Sequence, residues 1–310
     1  MGGPAGAVEP RRRWPRGSQP ARVPLQSRLF AAGAACGRDE TRLIRLVGID
    51  VDGTLVGSSG IVDPSVWEAA ERARASGIRL ALCSGRPGFG LAVDYARRLD
   101  ADGWHVFQNG ASVINLGSGE SRSAPLPSDQ VRELIRRARD TRHLLELYND
   151  SGYAIEDDAP WSRRHAEILG VPFERRSFES LTPPVVRAQW LVPMGAAPNG
   201  LLDDLTGLEI AQSSSPLMPD VRFIGMTREG VSKGSAITTI AAAYGIDLAD
   251  VMYIGDAGND LPAFRVVGHP VAMGNAEPAV LSAVERVVAH VDAGGLTEAL
   301  TLALQTAPRP

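Results

Sequence analysis

Lysine is almost absent from this chain: of its 32 basic residues only Lys233 is not arginine. Cysteine is scarce too. Cys36 and Cys83 lie far apart, which argues against a disulfide framework and fits a reducing cytoplasm, the expected location. Aromatic residues make up 5% of the chain, and the five tryptophans are spread without a stacking pattern. No apolar run approaches the roughly 20 residues of a membrane-spanning helix. Neither sign of charge is in large excess, with a net charge of −4 and a pI near 5.8. Nothing therefore marks nucleic acid or an anionic membrane as a partner. The run Arg11-Arg12-Arg13 could open a twin-arginine export signal, but the apolar stretch such a signal needs is missing. The nearest candidate, Leu29 to Cys36, is short, Ala/Gly-rich and distant.

What is present divides the chain. Residues 1–41 are rich in Gly, Pro, Ala and Arg without periodicity and are expected to form a disordered tail. The remaining length, in a chain 44% hydrophobic, is enough for about two domains. LIRLVGID, from Leu43, is a short apolar run of the kind found in a strand covered on both faces. Asp63-Pro64 supplies an N-cap and a first helical residue, and Gly77 closes the helix. IRLALC reads as a strand, 87–99 as a helix and WHVFQ as a strand. After residue 225 the same alternation returns: a helix at 232–244, the strand VMYIG, a helix at 258–267, the strand HPVAM and a helix near 294–305. Such alternation predicts a doubly wound parallel sheet of the Rossmann-like α/β class. Between the halves the pattern differs. A helix at 128–141 precedes the strands LLELY and YAIED. A helix near 160–169, a strand at 187–192, a short helix at 199–206 and the strands EIAQS and RFIGM follow. The expectation is an α/β core of 42–119 and 226–310, interrupted by an α+β cap at 120–225.

Four motifs fall at the carboxyl ends of expected core strands or the junctions after them, where open α/β sheets bind ligands. The first strand ends in Asp50-Val51-Asp52-Gly53-Thr54, two carboxylates followed by a turn, a pattern that invites a hard divalent cation. The second ends in Ser84-Gly85-Arg86, whose hydroxyl and turn amides suit a phosphate oxygen. Lys233 opens a helix, an unfavourable place for a cation unless an anion sits nearby. Gly255-Asp256-Ala257-Gly258-Asn259-Asp260 follows VMYI as an acidic loop. Each alone could be an ordinary turn or surface residue; four in one consistent order are not.

On these motifs the chain resembles the haloacid dehalogenase-like superfamily. Asn109-Gly110-Ala111 and Ala272-Met273-Gly274-Asn275-Ala276 resemble its Cof-type phosphatase branch. The resemblance spans roughly 43–305 and implies a phosphatase acting on a small phosphorylated metabolite, a sugar phosphate or similar. It implies Mg²⁺ held by Asp50, Asp256 and the backbone carbonyl of Asp52, with Asp260 outside the direct ligands. Asp50 is then the nucleophile and Asp52 the general acid and base. Phosphate oxygens fall to Val51, Ser84, Gly85, Arg86, Lys233 and Asn259. Alternatives are a phosphomutase on the same core and a non-catalytic metabolite-binding protein. Tyr148, Asp150, Arg163, Arg164 and His165 are candidates for specificity, the two arginines for a second anionic group. His105 and His269 are expected to be structural.

Overall fold

A computed structural model describes residues 43–305 apart from 199 and 216; the expected tail at 1–41 lies outside the described residues. In chain order the first half comprises β1 (Leu46–Ile49), α1 (Pro64–Ala75), β2 (Arg79–Leu82), α2 (Leu91–Asp100), β3 (Trp104–Phe107) and β4 (Ser112–Asn115). Then come α3 (Ser128–Thr141), β5 (Leu144–Tyr148), β6 (Tyr153–Ala154), α4 (Pro160–Leu169), β7 (Arg187–Pro193), β8 (Leu208–Ser215) and β9 (Met218–Arg228). The last part holds α5 (Lys233–Tyr244), β10 (Val251–Gly255), α6 (Leu261–Phe264), β11 (His269–Ala272), α7 (Pro278–Leu281), β12 (Arg286–Val287) and α8 (Gly295–Gln305).

β1 is wholly buried because it lies inside a five-stranded sheet of order β12-β11-β10-β1-β2, paired in parallel with β10 and β2. β3 follows β2 through the single bridge Cys83–Val106 and turns back antiparallel into β4. Helices cover both faces. Val47 and Ile49 pack with α1, α2 and α8, while Leu46 and Tyr253 pack with α5. Parallel strands put all their carboxyl ends on one edge, so the loops after β1, β2, β10 and β11 converge there. His105 is structural, as expected. Its Nδ1 accepts the Leu82 N–H at 3.0 Å, so Nε2 carries the proton and donates to the Asp100 carbonyl at 2.8 Å. Burial pushes its pKa down to about 4.

Residues from α3 to β9 build a second, antiparallel sheet of order β6-β5-β7-β9-β8. One face packs Leu145, Leu147, Trp190 and Ile224 against α3 through Leu134 and Ala138. On the other, Leu191 and Phe223 meet Trp161 and Ile168 of α4. Two expectations change here. Where a helix is expected at 199–206, residues 200–204 are turns and bends, with Asp204 at φ 56 and Gly207 beyond them at φ 68. The helix expected at 258–267 is only a 3₁₀ turn followed by α6, one turn long.

Candidate active site

Beyond β1 the chain curls into a single tight turn: the N–H groups of Thr54, Leu55 and Val56 all point to the Val51 carbonyl at 2.8–3.3 Å. Gly53 makes the curl possible. Its φ is +87, and a Cβ there would lie 2.1 Å from an Asp256 carboxylate oxygen. The turn leaves Asp50 5% exposed at the strand end and puts Asp52 outside, its side chain 63% exposed. Thr54 Oγ1 donates to Asp256 Oδ1 at 3.3 Å, tying the first motif to the fourth.

Lys233 is the first residue of α5, whose N-cap Ser232 and Ser235 form a reciprocal capping box. Gly234 lets the helix start dock, since a Cβ would meet the Pro262 carbonyl at 2.4 Å. Lys233, 1% exposed, donates from Nζ to Asp50 Oδ1 at 2.6 Å and to Asp260 Oδ1 at 2.7 Å. Burial alone would lower its pKa, but the charges of Asp50 and Asp260 raise it above the ordinary value, so it stays charged. Burial has the opposite consequence for the acids: it raises Asp50 well above the carboxylate range and, with the Asp260 charge, brings Asp256 to about 6.

Carboxylate oxygens of Asp50, Asp256 and Asp260 all lie within 4.8 Å of one another. Asp260 is already engaged. Besides Lys233, its Oδ1 accepts from Tyr253 at 2.7 Å, and its Oδ2 accepts from the Asp256 and Ala257 N–H groups at 3.1 Å. Asp50 and Asp256 lie close enough that, both ionised, they would repel each other unless a proton or a cation came between them. An all-oxygen set of this kind fits a hard divalent ion. Asp52 does not join this cluster. Its carboxylate receives a forked pair from Arg86, Nε to Oδ2 at 3.1 Å and Nη2 to Oδ1 at 2.5 Å.

Ser84 is fully buried at the end of β2, and its Oγ accepts the Arg86 N–H at 3.0 Å. Gly85 passes close to Asn109: a Cβ there would lie 3.1 Å from its Oδ1. Asn109 Oδ1 also accepts from Asn259 Nδ2 at 3.0 Å. The second, third and fourth motifs are thus joined around Asp50.

Three residues outside the expected set shape this edge. Asn275 Nδ2 donates to the Gly53 carbonyl at 2.8 Å, and its Oδ1 accepts the Val291 N–H at 2.8 Å, so it pins the first turn to the loop after β11. Its place just past a core strand was the available signal. Tyr253 is hidden in sequence as one more apolar strand residue. Arg187 of β7 reaches from the second sheet to the Gly85 carbonyl at 3.1 Å. Beside it, Phe89 stacks with Tyr148 and Tyr153 at 6.4 and 6.0 Å, so the loop after β2 is clasped by the insert.

The expected specificity candidates are occupied locally. Arg163 is paired with Asp158, and exposed Arg164 faces Asp220 at 4.0 Å. Asp150 accepts from Ser112, Ser121 and Ser123 at 2.6–2.7 Å. Tyr148 and His165 both bind the buried carboxylate of Glu146, at 2.6 and 2.8 Å.

The family described as haloacid dehalogenase-like hydrolase matches residues 47–185 and 204–300. The chain belongs to that family. Among curated relatives of this haloacid dehalogenase-like hydrolase, YxeH of Bacillus subtilis is 27% identical over 78% of this chain and 91% of its own. An Escherichia coli protein named HMP-PP phosphatase is 24% identical over 76% of this chain and 86% of its own. A solved haloacid dehalogenase-like hydrolase from Bacteroides thetaiotaomicron superposes with a TM-score of 0.73 at 27% identity, covering 83% of this chain and 98% of that one. No helix among the described residues is long and apolar enough to cross a membrane.

Proposed function

We propose that this hydrolase is a Mg²⁺-dependent phosphatase of small phosphorylated metabolites, working in the cytoplasm through an aspartyl-phosphate on Asp50. In this reading residues 120–225 are a cap over a core of 42–119 and 226–310. The observation that carries it is the setting of Asp50, a nearly buried carboxylate at a strand's carboxyl end, held by a lysine and beside a second carboxylate. The Escherichia coli relative, a phosphatase by name, supports the same reaction class.

Asp50, Asp256 and the carbonyl of Asp52 would hold the cation. When bound it would offset the repulsion between a carboxylate nucleophile and an anionic phosphate. The protein supplies the rest. Lys233 fixes Asp50 and adds a positive charge beside the reacting phosphorus. The Ser84 hydroxyl accepts one N–H and keeps its own proton to give to a phosphate oxygen, and the turn amides of Val51 and Gly85 and the side chain of Asn259 complete the cradle. A carboxylate oxygen of Asp50 attacks phosphorus, the bond to the leaving oxygen breaks, and protonated Asp52 gives that oxygen its proton. Water then attacks the acyl phosphate, its proton passes to the Asp52 carboxylate, and Asp50 is released with inorganic phosphate. Arg86 positions Asp52 through its forked pair.

The test is release of inorganic phosphate from a panel of metabolite phosphates with Mg²⁺, with excess chelator, and with Mg²⁺ restored. Release that vanishes and returns is the expected result. Full turnover in chelator would remove the metal, and an isomeric product without phosphate release would make the enzyme a mutase.

A further inference from the structure

The polar face of the insert holds a cation that forms no direct ion pair among the described residues. In the register of β5 and β7, Glu146 lies opposite Gln189 and Tyr148 opposite Arg187, so these four side chains share the face that carries Leu191 and Phe223 further along. Glu146 is 1% exposed and is bound by Tyr148, His165 and Gln189. Burial alone would push its carboxyl up, but His165, the Tyr148 hydroxyl and Arg187 bring it below the ordinary value, so the charge is retained.

Arg187 is balanced less directly: the Glu146 carboxylate acts on it from beyond ion-pair distance, with Gln189 bonded to both. One guanidinium nitrogen donates to the Gly85 carbonyl at 3.1 Å, another donates to the Gln189 amide oxygen, and the group lies over the Tyr148 ring at 5.5 Å. All three partners are neutral, and Arg187 forms no ion pair among the described residues. Burial lowers its pKa from the ordinary value, and the residue is half-buried. A guanidinium has five N–H donors in a planar fork, and at most a few are used here. On its cross-strand flank it packs along Gly225 of β9, which is paired with Gln189: a Cβ there would sit 3.4 Å from Arg187 Nη2. The guanidinium touches Gly85, between Ser84 and Arg86 of the phosphate-cradle loop.

We infer that Arg187 binds a second anionic group on the leaving portion of the substrate, so that the preferred substrates are phosphate monoesters that also carry a carboxylate or a further phosphate. The inference rests on the phosphatase reading and names its substrate class. Arginine matches both groups because each offers two coplanar or near-coplanar oxygens to its fork. A neutral polyol would offer the fork no charged partner of its own.

The experiment compares kcat and KM of the Mg²⁺-loaded full chain on four probes. They are p-nitrophenyl phosphate, glucose 6-phosphate, 3-phosphoglycerate and fructose 1,6-bisphosphate. The wild type should favour at least one of the last two over glucose 6-phosphate by about tenfold or more in kcat/KM, mainly through KM; which one separates a carboxylate from a phosphate. Arg187→Gln should erase that preference, and Arg187→Lys should restore part of it. Absence of a preference in the wild type overturns the inference, whatever the variants do. So does an equal fractional loss on all four probes in Arg187→Gln, which would make Arg187 only an anchor of the insert on Gly85. A wild type that releases phosphate from none of the four, p-nitrophenyl phosphate included, sinks the phosphatase reading and the inference with it.

Discussion

Lys233 and Arg187 are both cations enclosed by protein near the same strand-end edge, and the molecule treats them in opposite ways. Lys233 lies between two carboxylates at 2.6 and 2.7 Å, and its pKa is raised. Arg187 meets a backbone carbonyl, an amide oxygen and an aromatic ring, and its pKa is lowered. The core has thus built a charge cluster that is in excess of acid, with Asp50, Asp256 and Asp260 facing one ammonium. The insert presents a charge that no carboxylate pairs directly, Glu146 acting on it from further away. An acid-rich cluster suits a cation that arrives from solution, and an arginine without a direct ion pair suits an anion that does. Arg86 stands between the two extremes, forked onto Asp52 but partly exposed.

The largest expected effect breaks the core side of this contrast. Lys233→Met leaves buried carboxylates without their cation, which costs about 3–5 kcal/mol of stability at neutral pH. Turnover should fall by about 10²–10³-fold or more, as when a charge-stabilising donor is removed. Lys233→Arg should fold better yet remain poorly active, because a forked guanidinium replaces a compact ammonium in a site with no spare room. Chemical denaturation and phosphate release read both, and near-wild-type activity of Lys233→Arg would show that the site needs only a positive charge.

Next in size is the exposed pair. Asp52 protonates the leaving group, and general acid catalysis is worth about 10²–10⁴-fold. Asp52→Asn should therefore slow the single-turnover release of a sugar far more than that of p-nitrophenolate, which leaves well without a proton. Equal fractional losses would take Asp52 out of the general-acid role and leave it as the partner of Arg86.

The two halves were unequally legible in sequence for the same reason that they differ in charge. β1 and β10 are buried on both faces and read as apolar runs, and caps such as Asp63-Pro64 mark their helices. The core carboxylates stand out because they end such runs. In the insert, Glu146, Gln189 and Arg187 sit inside strands at alternate positions, where polar residues ordinarily face water. Only the pairing of β5 with β7 reveals that they are enclosed together. Arg163 and Arg164 looked better placed to meet an anion, but nearby Asp158 and Asp220, distant or ambiguous in sequence, engage them. The helix expected at 199–206 failed because Asp204 and Gly207, both at positive φ, hold turns where an apolar pattern suggested a turn of helix. Asn275 could not be assigned its task, since its contact with Gly53 spans 222 residues.

Two histidines extend the comparison to pH. His165 in the insert sits against the Glu146 carboxylate, whereas His105 in the core is buried neutral, with a pKa near 4. A base whose folded pKa lies below its unfolded value of about 6.5 binds protons more readily in the unfolded chain between those two values. Stability from His105 is therefore full above pH 6.5 and is lost as pH falls toward 4, by about 3 kcal/mol in all. Comparing the pH dependence of unfolding for wild type and His105→Gln isolates this part of the slope. A parallel pair of curves would mean that His105 has the same pKa in the fold as in the unfolded chain.

The smallest expected effect sharpens the insert side. If Arg187 were a structural charge like Lys233, its removal would be as damaging. It makes no ion pair, and Met in its place would retain much of the packing against Tyr148 while removing a desolvated cation. The losses are the bond to the Gly85 carbonyl, about 1 kcal/mol, and the Gln189 amide contact, offset by relief of that desolvation. Arg187→Met should thus unfold within about 1 kcal/mol of the wild type, in contrast to the several kcal/mol expected for Lys233→Met. Added inorganic phosphate offers the second half of the measurement. If an anion completes the site, phosphate should raise the unfolding midpoint of the wild type more than that of Arg187→Met, because ligand binding stabilises only the state that binds. A large loss of stability in the variant, with an unchanged response to phosphate, would make Arg187 a strut between insert and core and remove the asymmetry between the two cations.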